Sequence, residues 1–211
     1  MSGVRVVLAD RSATVRSLLR RALEFDDEIR VVGETGHAQE AVDLIQQCSP
    51  DGLVTDLDLA GISGRDYLEA VAAAGRVAVF ALIPTIRDDT TRIAFAAHDL
   101  GVIGVHPKPE EPDAWLVLGE NLRASILEAC RGSSMGERSG LNQADHDPSI
   151  RRGLRWVAIG ASTGGPGAVC ELLRSVKERA KIGVAVVQHI APGFEFSLAE
   201  WLAVELSLIH I

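Results

Sequence analysis

The chain has 211 residues, 47% hydrophobic and 24% charged, with a formal net charge of −8. That balance excludes a wholly disordered chain and disfavours nucleic acid as the partner, because phosphate binding needs a basic face. Charges interrupt the apolar runs within about ten residues, too short to span a bilayer. Met1-Ser2-Gly3 leads straight into a strand-like segment, so no signal peptide is expected. Three cysteines, Cys48, Cys130 and Cys170, lie far apart with no C-x-x-C pair, which argues against a disulfide framework or zinc site and for a reducing cytoplasm. Acidity is concentrated in residues 1–130, with 21 acids against 12 bases; the remainder carries 8 against 9.

In chain order, Val4–Ala9 reads as a buried strand ending at Asp10, and Ala13–Glu24 carries a helical stripe at Val15, Leu18, Leu19, Ala22 and Leu23. Ile29–Gly33 predicts a second strand, and Ala38, Ala41, Val42 and Ile45 a helix stopping before Pro50. Leu53–Thr55 ends at Asp56, Tyr67–Ala74 is helical, and Val77–Leu82 is a strand. Asp88–Leu100 is a helix, Val102–Val105 a strand ahead of Lys108-Pro109, and about Pro112 to Cys130 a last helix. Five strand-then-helix repeats imply an α/β fold with a parallel sheet covered on both faces.

Function in such a sheet gathers at the carboxyl ends of the strands. Asp10, Asp56 and Lys108 fall there, and two carboxylates with an ammonium suit a divalent cation and a phosphoryl group. Asp58 adds a backbone carbonyl as a further candidate metal ligand. Residues 4–130 resemble a response-regulator receiver domain, a flavodoxin-like doubly wound fold. The resemblance implies Asp56 as phosphoacceptor, Lys108 as phosphoryl contact, and Mg2+ held by Asp10, Asp56 and the Asp58 carbonyl. Two departures stand out. Receivers carry adjacent acids after the first strand where this chain has Ala9-Asp10, and a hydroxyl at the end of the fourth strand, aligned here with Ala81. The first predicts a weakened Mg2+ site, the second a missing phosphoryl contact, and together they predict a partly degenerate receiver and poorer phosphorylation.

Residues 131–153 lack apolar periodicity and read as a linker, within which His146 is a solvated residue rather than a ligand. Leu154–Ile159 is then a strand running into Gly160-Ala161-Ser162-Thr163-Gly164, a G-x-S-x-G turn that would project the Ser162 hydroxyl. A plain tight turn or an anion-holding helix start is the competing reading of those residues. A helix opens at Gly165 or Pro166 and runs through Val176. Gly183–Val187 is a second apolar strand delivering Gln188-His189, so parallel neighbours would bring Ser162 and His189 to one sheet edge, where a histidine can activate a serine.

Ile159–Pro166 and Val186-Val187-Gln188-His189-Ile190-Ala191-Pro192-Gly193-Phe194, behind a receiver, resemble the chemotaxis response regulator protein-glutamate methylesterases of CheB type. The resemblance implies a catalytic Ser162 with His189 as its base and Thr163 supporting, and an esterase domain without cofactors. Its implied substrates are glutamate methyl esters and glutamines on chemoreceptor cytoplasmic helices, without membrane insertion, and its implied regulator is the histidine kinase of the pathway.

The family completes its triad with an aspartate downstream of the position where this chain reaches Ile211; a helix expected over Gly193–Glu205, with apolar Phe196, Leu198, Trp201 and Leu202, carries Glu195, Glu200 and Glu205, none of which stands in for it. Residues 154–211 are therefore expected to be the first part of a Rossmann-like esterase domain, truncated and of doubtful activity by itself. Two function classes follow: a carboxyl-ester hydrolase gated by receiver phosphorylation, or a non-catalytic signalling module.

Overall fold

The computed structural model describes residues 3–59, 62–84, 100–111, 114–132, 156–175, 182–190 and 194–206. The expected helix over 88–100, apart from Leu100, most of the linker with His146, and the tail after Leu206 lie outside them. Five strands, β1 (Val4–Ala9), β2 (Ile29–Thr35), β3 (Gly52–Asp56), β4 (Ala78–Ile83) and β5 (Val102–Pro107), form one parallel sheet in the order β2-β1-β3-β4-β5. This is the flavodoxin-like winding, whose order reverses between β1 and β3.

Helices α1 (Ala13–Leu23), α2 (Ala38–Cys48), α3 (Gly64–Ala74) and α4 (Ala114–Gly132) accompany the sheet. Their boundaries have local causes. Ser12 caps α1 by accepting the Val15 N–H, and Ser63 caps α3 by accepting the Asp66 N–H. Ser49 takes a left-handed φ of 45° after α2, so the chain turns before Pro50.

Every residue of β3 is buried, as are five of the six in β4. Alternate β1 side chains serve opposite faces. Val7 and Ala9 join the cluster of Ala41, Ile45, Leu53 and Val71 beneath α2 and α3, while Val6 and Leu8 join Leu19, Phe80, Leu122 and Ile126 beneath α1 and α4. Burial of this kind contributes about 25 cal/mol per Å² of apolar surface.

The second unit holds β6 (Trp156–Ala161), α5 (Gly165–Ser175), β7 (Gly183–Gln188) and α6 (Glu195–Leu206). β6 and β7 pair in parallel, Trp156 opposite Gly183 through Ala161 opposite Gln188. Val169 and Cys170 of α5 are buried with Phe194 and with Leu198, Trp201 and Leu202 of α6. Phe196, part of the expected apolar stripe of α6, instead faces outward at 78% exposure.

Candidate functional site

Two centres emerge. In the first, the β1 and β3 ends deliver Asp10 and Asp56, both almost fully buried, and the chain after β5 delivers Lys108. The Lys108 ammonium sits 2.6 Å from Asp56 Oδ2, to which it donates a hydrogen bond, and 2.6 Å from Asp10 Oδ2 as an ion pair. The other carboxylate oxygens accept backbone amides: Asp10 Oδ1 from Ser12 N–H and Asp56 Oδ1 from Asp58 N–H, each at 2.8 Å. The backbone after β5 is fixed by Lys108 N–H donating to Ile83 O. Behind Asp56, the buried Tyr67 hydroxyl shares a 3.0 Å hydrogen bond with Thr55 Oγ1, and burial pushes its pKa up to about 12.

Asp10, Asp56 and Lys108 thus come together. The side chain of Asp58 turns outward instead, its carboxylate 2.9 Å from the Arg11 guanidinium. Both sequence departures need relocating. Ala9 is 1% exposed within the apolar cluster beneath α2 and α3, so an acid there would enter the core rather than the site; the residue beside Asp10 at the site is Arg11. Ala81 lies opposite Thr55 and Val105 inside β4, two residues short of the strand's last residue, Ile83.

Among the described residues, no group of three His, Cys, Asp or Glu side chains could hold a metal ion. Lys108 balances one of the two carboxylate charges and holds its ammonium 2.6 Å from both, so a hard divalent cation would have to enter beside a like charge.

The second centre forms where β6 and β7 end side by side. Ser162 occupies the turn after Ala161, and His189 follows Gln188. Gly164 at φ +73° makes the left-handed bend from which α5 starts. Ser162 Oγ lies 3.4 Å from His189 Nδ1, so the sequence-predicted pair meets.

Gln188 was not foreseen as a site residue. Its Nε2 donates to Ser162 O at 2.8 Å and to His189 O at 2.9 Å, clamping the two site-bearing turns together. A Cβ at Gly165 would collide with that amide, which explains a glycine at the first position of α5. The signal available was its place, one residue before the histidine at a strand's carboxyl end.

The serine-bearing turn also touches the five-stranded unit: Gly164 N–H donates to Ile103 O at 2.9 Å. Ser162, Thr163 and His189 line a cavity of about 360 Å³ whose far wall is β5, with His106, and Ser125 and Glu128 of α4. Burial depresses the His106 pKa to about 4, so its imidazole stays neutral at pH 7.

Residues 6–117 match the response regulator receiver domain family, and residues 157–209 match the CheB methylesterase family. Curated relatives named protein-glutamate methylesterase/protein-glutamine glutaminase include one from Rhizobium johnstonii, 31% identical over 201 residues. Others come from Pyrococcus abyssi, 29% identical, and Shewanella sp. (strain MR-7), 28% identical, each over 207 residues. Each alignment covers 94% of this chain but 56–58% of the relative, so the chain spans little more than half their length.

The crystal structure of the response regulator domain of Thermotoga maritima CheB superposes with a TM-score of 0.55 at 21% identity. It covers 61% of this chain and 97% of that one, a likeness of fold. Receiver domains generally bind Mg2+ at their phosphorylation site. The chain belongs to the response-regulator receiver family, with the beginning of a CheB methylesterase domain joined behind it.

Proposed function

We propose that this chain carries the nucleophile and base of a chemotaxis protein-glutamate methylesterase under the control of its receiver. The observation that carries the reading is the Ser162 Oγ to His189 Nδ1 approach of 3.4 Å on turns at adjacent strand ends. With Nδ1 facing the hydroxyl, the neutral imidazole accepts the serine proton there and holds its own proton on Nε2. Ser162 Oγ attacks the ester carbonyl carbon, and the proton passes from His189 to the departing methoxide as methanol leaves. Water then cleaves the acyl-serine to return a glutamate carboxylate. The same steps on a glutamine release ammonia. Thr163, next after the nucleophile and lining the cavity, is suited to supply its backbone N–H to the developing oxyanion.

Residues 4–130 act as the receiver, 131–153 as the linker and 154–211 as catalytic-domain sequence. Asp56 is the phosphoacceptor and Lys108 its phosphoryl contact. Two contacts support gating by the receiver: Gly164 is tied to Ile103 of β5, and the cavity around Ser162 is walled by β5 and α4. The expected partners are methylated chemoreceptor cytoplasmic helices and the pathway's histidine kinase, in the cytoplasm. No helix among the described residues is long and apolar enough to cross a membrane.

Methanol release from methylated receptor membranes tests the reading. Ser162→Ala is expected to lower release by at least ~10³-fold, the scale on which serine hydrolases lose activity without the nucleophile. Release unchanged by that substitution would sink the serine mechanism.

A further inference from the structure

Asp10, Asp56 and Asp58 place three negative charges at the carboxyl edge of the five-stranded sheet, and the chain supplies two positive charges against them. Lys108 lies 2.6 Å from both Asp10 Oδ2 and Asp56 Oδ2, with its side chain only 18% exposed. Arg11 lies 2.9 Å from Asp58 Oδ2. Three of the four carboxylate oxygens of Asp10 and Asp56 accept a hydrogen bond from the chain itself, and the fourth, Asp10 Oδ2, is buried without a hydrogen bond and meets only the charge of Lys108.

Mg2+ needs near-octahedral oxygen ligation at about 2.0–2.1 Å and gives up its waters reluctantly. To enter, it would have to displace a buried ammonium from between two carboxylates or sit beside it, like charge against like. The residue after Asp10 is Arg11, whose guanidinium pairs with the outward Asp58 carboxylate, so that position offers a cation instead of a third carboxylate.

We propose that this receiver site takes no divalent cation: Lys108 is its resident counter-charge, and Arg11 stands where a third anionic ligand would be needed. The inference rests on the receiver reading, and its consequence is that any phosphoryl or acidic-partner chemistry at Asp56 proceeds without Mg2+. It concerns the sheet edge alone and leaves the esterase reading at Ser162 untouched.

The test is a Mg2+ titration of the full chain followed by amide NMR shifts, with potassium chloride at matched ionic strength as control. In the parent, the amides of Asp10, Arg11, Asp56 and Asp58 are expected to show no saturable Mg2+-specific shift up to about 20 mM, above the 10⁻⁴–10⁻³ M range of weak protein cation sites. Arg11→Asp is expected to gain a saturable shift at the same amides, with half-saturation at least tenfold below the parent's upper limit. Arg11→Asn serves if the aspartate variant does not give a folded spectrum, and is expected to gain a weaker but still saturable response. Saturable Mg2+ binding by the parent would overturn the proposal. A folded position-11 variant without any gain would equally overturn the role given to Arg11.

Discussion

The two sheets of this chain are built from similar apolar strands and have opposite fates. β3 and β4 lie between neighbouring strands and under helices, and their side chains are almost wholly buried. β6 and β7 have only each other among the described residues, and Trp156 and Val187 stand 70% and 71% exposed. An apolar strand sequence therefore states a demand for cover without saying whether it is met. The chemistry divides the same way: Asp10 and Asp56 are buried around Lys108, whereas Ser162 and His189 are exposed on their turns.

The largest expected effect tests that contrast directly. Phe80→Ala removes a fully buried ring from β4 and is expected to lower unfolding free energy by ~3–5 kcal/mol. Val187→Ala on exposed β7 is expected to stay within ~0.5 kcal/mol. Urea denaturation of both measures the difference, and comparable losses would break the comparison.

Next comes the buried ion cluster. Lys108→Met leaves Asp10 and Asp56 facing one another without compensation, and ~3 kcal/mol of destabilisation is expected, the scale for removing one partner of a buried pair. Thermal or urea unfolding at neutral pH checks it, and a loss below ~1 kcal/mol would put the cluster in the exposed class.

His106 gives an effect of intermediate size with a definite sign. Its folded pKa, about 4, lies below the ordinary 6.5, so the unfolded chain takes up a proton first as pH falls. The contribution is intact above pH 6.5 and is lost progressively between 6.5 and 4. Between pH 7 and pH 5 this amounts to about 1–2 kcal/mol. His106→Gln removes that titration, so denaturation midpoints at the two pH values are expected to lie closer together in the variant.

Much of the five-stranded unit was legible in the sequence because its signals are local. Val4–Ala9 is apolar except for the outward Arg5 and is closed by Asp10, and its bounds are those observed. Ser162 and His189 could be paired because strand ends adjacent in a parallel sheet share an edge. What escaped depends on pairing and direction. β5 runs to Pro107, two residues beyond its apolar stretch, because its neighbour β4 extends to Ile83 opposite it. That same pairing puts Ala81 inside its strand. Alternation turns Ala9 into the core and leaves Arg11 beside Asp10, a distinction that adjacent letters do not make. Gln188 looked like the polar end of a strand, and only its contacts to Ser162 O and His189 O reveal a clamp.

The smallest expected effect belongs to the second unit. Arg174 of α5 pairs with Glu205 of α6, the two side chains 50% and 32% exposed. The pair joins the two helices, but water competes for both charges and two long side chains must be held in one geometry. Arg174→Ala is therefore expected to cost only ~0.2–1 kcal/mol at low salt. The Debye length shrinks to about 3 Å in 1 M salt, so the difference between parent and variant is expected to vanish there. The cluster around Lys108 is buried and screened much less, so the loss from Lys108→Met should persist at the same salt concentration. Paired urea titrations at low and high salt make that distinction. A salt-insensitive Arg174 effect would mean that this pair is shielded by chain packed over it, and that the second unit is better covered than its exposed strands imply.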